Sequence, residues 1–118
     1  MAFIADRNGY PGPVHVLELA DVLKPTPEQE ARVRALQEAM LAEARPQGVA
    51  LLEAEQRLGR LFADGHATEE TVRAQAGQVE RLRGEVRLVH LRYHLKTREL
   101  LTEPQRATYH AKRWGTGG

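Results

Sequence analysis

Apolar residues return every three or four positions along two long stretches of this chain, with a short polar turn between them. In the first stretch Val33, Leu36, Met40, Val49, Leu51, Leu58, Leu61 and Phe62 recur at steps of three, four and their sums, with charged residues in the gaps. That pattern predicts a long amphipathic helix. In the second, Val72, Ala76, Val79, Leu82, Val86, Val89, Tyr93 and Leu100 continue at heptad-like spacing. Ala63-Asp64-Gly65-His66-Ala67-Thr68 divides the two. Gly65 suits a left-handed C-terminal cap and Thr68 a fresh N-cap. Two such helices joined by a tight turn pack antiparallel, as a hairpin. No segment alternates with period two, so no sheet is expected.

The ends of the hairpin are marked by proline and threonine. Val14 to Leu23 is dense enough in apolar residues for a short helix, which Pro25 ends. Thr26-Pro27-Glu28-Gln29 restarts it: Thr26 accepts from the Gln29 amide, Gln29 reaches back to Thr26, and Pro27 at the first helical position loses no needed donor. Leu101-Thr102-Glu103-Pro104-Gln105 repeats this device before a last helix from Glu103 to about Arg113. Pro46 predicts a kink or brief break in the first long helix. Gly77 and Gly84, seven apart in the second, suggest close approach of another helix, with chance as the alternative. Residues 1–13 read as a flexible lead-in, 14–113 as one helical domain, and 114–118 as a frayed tail. The fold class is all-α, a four-helix antiparallel hairpin. Its arms, about 45–55 Å long at 1.5 Å per residue, form a thin body whose apolar surface favours a homodimer.

Composition narrows the function. The 118 residues fit one domain, and with aromatics at 5% the core is built from Leu, Val and Ala. A net charge of +1 lacks the basic excess of a nucleic-acid binder. Without cysteine there is no disulfide, zinc finger or thiol chemistry. No apolar run is long enough for a transmembrane segment. Met1-Ala2-Phe3-Ile4 is too short for a signal core, so an exported form would begin after its signal, with Met1 added.

Candidate chemistry rests on histidine. His90 and His94 stand one helical turn apart, a spacing that can chelate a metal ion. No acid follows His90, so the metalloprotease motif is absent. The competing reading makes them polar residues at the edge of the apolar stripe, with His90 near the buried seam and His94 further round. His15 lies on the short first helix, which can fold back over the hairpin; by itself it reads as a surface residue. His66 falls in the turn, and His110 is ambiguous. There is no phosphate loop, no nucleophile elbow and no serine, and the carboxylates sit among Arg and Lys on helix surfaces. No enzymatic activity is expected.

The two T-x-x-Q boxes at helix starts resemble the LTxxQ motif of the Spy/CpxP family of periplasmic proteins. Leu101-Thr102-Glu103-Pro104-Gln105 matches in full; in the first copy Pro25 replaces the leucine. The resemblance, over about Pro13 to Arg113, implies a hooked helical hairpin, a homodimer, and a periplasmic location. It also implies one of three roles: ATP-independent chaperone for unfolded clients, envelope-stress regulator, or heavy-metal-resistance and metal-sensing protein acting with a membrane-bound regulatory partner. Leu88-Val89-His90, then His94 and the box, looks most like the CnrX-like metal-sensor branch. Carried over by position, His15, Glu38, His90 and His94 would hold a divalent transition metal: zinc, nickel, cobalt or copper. His94 stands where that branch has Met, a harder ligand here. Leu19 stands where it has a second first-helix histidine, so one ligand is missing.

Overall fold

The computed structural model describes residues 2–115, and among these every regular element is a helix. In order they are α1 (Phe3–Arg7), α2 (Pro13–Glu18), α3 (Ala20–Leu23), α4 (Pro27–Ala63), α5 (Glu69–Leu100) and α6 (Glu103–Trp114). The long pair α4 and α5 forms the expected antiparallel hairpin. Gln75 Nε2 donates to the Ala54 carbonyl at 2.9 Å, Arg83 meets Glu55 at 2.5 Å, and Arg92 meets Glu43 at 3.6 Å. The body measures 57 × 31 × 18 Å, so one dimension is set by the helix length and the smallest is less than two helix diameters.

Each of α4, α5 and α6 starts on a side-chain cap. Thr26, Thr68 and Thr102 accept from the backbone N–H three residues on, and the residue there, Gln29, Thr71 or Gln105, caps back. Gly65, at φ 73°, closes the turn between the arms in the left-handed region. The single short helix expected over Val14–Leu23 is two helices, α2 and α3, divided at Leu19, and Lys24 takes φ 50° before the chain turns into α4.

Four expectations are corrected. First, of the kink or break expected at Pro46 the break does not occur: α4 runs on through it. Pro46 and Ala42, whose carbonyl loses its helical partner, are both on the exposed face, where that carbonyl is open to solvent. Second, nothing in the chain lies within 4 Å of a Cβ built at Gly77 or Gly84, so no helix of this chain approaches them. Third, residues 2–13 of the segment read as a flexible lead-in carry α1 and dock on the hairpin, with Asp6, Pro11 and Pro13 buried. Fourth, Trp114, assigned to the frayed tail, ends α6 and packs edge-on against Phe3 with ring centroids 5.0 Å apart. Residues 116–118 of that tail lie outside the described residues.

The core concentrates where α2, α3 and α6 hook over the open end of the hairpin. Val16, Leu23, Val33, Leu101 and Tyr109 form one buried cluster there; Met40, Val89 and Tyr93 form the next layer down the arms. The apolar stripe does not stay buried along its length: Val49 and Phe62, both on the expected inner face, are exposed. Only two helices meet in the distal arms, so a stripe wider than one contact seam is left without cover.

Candidate metal centre and its covering strap

The two T-x-x-Q boxes meet across the hook. Gln29 Nε2 donates to Gln105 Oε1 at 2.9 Å, and Gln105 Nε2 donates to Gln29 Oε1 at 3.1 Å. The remaining amide hydrogens go to Leu100 O at 2.9 Å and Leu23 O at 3.4 Å, while each Oε1 also accepts from its own box threonine's N–H at 2.9 Å. Every donor and acceptor of both side chains is therefore used. The pair fixes the start of α4 against the junction of α5 and α6, and so holds α2 beside the histidine-bearing end of α5.

Beside this clasp lies a cavity of about 280 Å³, whose lining includes Asp6, Gly12, His15, Met40, His90, His94 and Arg113. His90 Nδ1 lies 2.9 Å from the Val86 carbonyl, and His94 Nδ1 lies 2.7 Å from the Tyr10 carbonyl. His15 Nδ1 lies 3.0 Å from Glu18 Oε2. A carbonyl oxygen can only accept, so the His90 and His94 rings carry their hydrogen on Nδ1 and, when neutral, keep a lone pair on Nε2, whereas His15 Nδ1 also has the Arg113 Nη1 donor at 3.5 Å. Burial holds the pKa of His94 below its ordinary value, against the opposing pull of the Tyr10 carbonyl and the Asp6 charge.

Of the residues expected to bind metal, His15, His90 and His94 line this one cavity and Glu38 does not. Glu38 is exposed, because two residues along a helix turn by about 200°. That rotation brings Met40 inward instead. Among the described residues no three His, Asp or Glu side chains come close enough to hold an ion together. His94, read as lying further round than His90, is the more buried of the two, at 8% exposure. The cause is the N-terminal strap: Tyr10 bonds its ring, and a Cβ at Gly12 would stand 2.8 Å from its Nε2, so only glycine fits against it.

The strap is pinned at two further points. Arg98 Nε donates to the Gly9 carbonyl at 3.2 Å, and its guanidinium lies 4.5 Å over the Tyr10 ring. Asp6, 3% exposed, takes a hydrogen bond from the Tyr109 hydroxyl, one from Trp114 Nε1 at 3.1 Å, and an ion pair with Arg113 at 3.0 Å. Burial, with Asp6 alongside, drives the Tyr109 phenol far above its ordinary pKa. Asp6, Gly12 and Met40 escaped the sequence reading as site residues. For Met40 a signal existed: in a hairpin closed at Gly65 it falls opposite Val89 and His90. For Asp6 and Gly12 there was none, since their partners lie some 80 to 108 residues away.

No helix among the described residues is long and apolar enough to cross a membrane. No curated protein and no solved structure matches the chain significantly. The family described as "LTXXQ motif family protein" matches residues 14–113, the span that holds both boxes, both arms and all three cavity histidines. The clasp of Gln29 on Gln105 gives that motif its structural meaning, and the chain belongs to the LTXXQ motif family.

Proposed function

We propose that this protein is a periplasmic metal-binding or metal-sensing protein whose ion sits on His90 and His94. One observation carries the reading: of three imidazoles lining one cavity, His90 and His94 each tie Nδ1 to a carbonyl oxygen and leave Nε2 as a donor atom. Ligating histidines are habitually oriented in this way by a second hydrogen bond that also raises their basicity. The Val86 and Tyr10 carbonyls fill that role here. His15 lines the same cavity from α2, so a bound ion supplies a link between the hook and the hairpin, a local event with a structural readout. Calorimetric titration with zinc, nickel, cobalt and copper tests this. Wild type is expected to give saturable heat that disappears in the His90→Ala/His94→Ala double variant; equal heats in the two proteins would remove the reading.

A second reading has its own support. Val49, Leu52, Phe62, Leu88 and Leu95 are exposed large apolar side chains along the arms, suited to a second copy of the chain or to unfolded clients. A chaperone role predicts that the metal-free protein suppresses aggregation of a denatured client, and that the histidine substitutions leave this unchanged.

A further inference from the structure

The cavity's donors differ from those of a site for a divalent ion, in charge and in softness. Its carboxylate, Asp6, is already bound by Tyr109, Trp114 and the Arg113 guanidinium, so that pair adds no net negative charge to the wall. The acid expected from α4, Glu38, is turned away to solvent. What the lining offers is neutral: the Nε2 atoms of the histidines, that of His94 lying against Gly12, and the thioether of Met40, a residue 7% exposed that packs on Val89 and Tyr93. A doubly charged ion entering such a pocket would give up water for ligands that neutralise none of its charge. A singly charged ion faces a much smaller penalty, because solvation cost rises with the square of the charge. Among the described residues no third His, Asp or Glu is close enough to complete a set with His90 and His94, so the third donor the lining offers is a thioether. Cu(I) accepts trigonal coordination, and thioether sulfur is among the donors that select it.

Resting on the metal reading above, we infer that the cavity is selective for a soft monovalent cation, Cu(I), with the Met40 thioether as third ligand beside His90 and His94. Met40 thereby sets which ion is taken, while the histidine pair sets whether any ion is taken.

The test is anaerobic competition of wild type, Met40→Leu and His90→Ala/His94→Ala against a chromogenic Cu(I) chelator, with a parallel Zn²⁺ titration against a zinc indicator. Leucine keeps the volume and apolar character of Met40, so the fold is retained, as a thermal melt would check. Expected is tighter binding of Cu(I) than of Zn²⁺, a loss of Cu(I) affinity of about tenfold or more in Met40→Leu, and Zn²⁺ affinity unchanged by that substitution. X-ray absorption of the copper-loaded wild type should show one sulfur neighbour, absent in Met40→Leu. Unchanged Cu(I) affinity in Met40→Leu, no sulfur neighbour in wild type, or a preference for Zn²⁺ overturns the inference while leaving the histidine site standing. Failure of both ions to bind, or binding that survives loss of both histidines, overturns the histidine site and the inference together.

Discussion

The hook end and the distal arms are built from the same two helices, yet they are different kinds of structure. Around the hook, α2, α3, α6 and the strap thicken the hairpin into a body with a layered core, from Val16 and Tyr109 to Met40 and Tyr93. Between Ala44 and Glu85 only Ala54 and Val79 are buried. Helices in a two-helix ribbon each have one neighbour, so charge pairs on open faces replace a core, as with Arg83 and Glu55, each about half exposed. Stability should therefore reside at the hook and the arms should be the part that frays first.

The largest expected contrast comes from truncating one leucine in each region. Leu101→Ala, at 4% exposure and packed among Val16, Leu23 and Tyr109, should cost about 2–5 kcal/mol in chemical denaturation. Leu58→Ala, half-buried in the arm, should cost about 1 kcal/mol. Equal costs would mean that the arms acquire a second layer in solution, as a dimer would provide. A smaller contrast is expected for glutamine. Gln105→Ala strips partners from the Thr102 N–H and from both ends of the Gln29 amide, for about 1–3 kcal/mol. Gln56→Ala on the exposed arm should fall within about 0.5 kcal/mol of wild type.

Acid should bring the smallest change, and only at the hook. Because His94 has its folded pKa below the usual 6.5, the unfolded chain binds the extra proton first as pH falls. Stability from this group is complete above about pH 7.5, declines as pH drops through 6.5, and levels off below the folded pKa. Urea midpoints of the metal-free protein at high and low pH should differ more for wild type than for His94→Gln. Identical slopes would show that the strap holds equally well over a charged imidazole.

What could be read from the sequence follows the range of each interaction. The caps at Thr26, Thr68 and Thr102 act within three residues, and the helical stripes within four, so helix starts, the Gly65 turn and the hairpin were legible. Pro46 misled because its cost depends on which face it occupies, and that is decided by packing. Val49 and Phe62 misled for a related reason: periodicity shows which residues share a face, not whether anything covers it. The site was half legible. His15, His90 and His94 share a cavity as the motif resemblance implied, but Glu38 against Met40 turned on the rotation of α4. The strap was illegible, since Asn8-Gly9 and Gly12-Pro13 carry turn signals whether or not the segment docks.

The clasp between Gln29 and Gln105 has a consequence for how this sequence can change. Each amide gives the other a donor and takes one back, so neither position can be altered alone without leaving the opposite side chain half answered. A glutamate has no hydrogen to give and a lysine has no lone pair to offer. Positions 29 and 105, separated by 76 residues in the chain, are thus under one joint constraint.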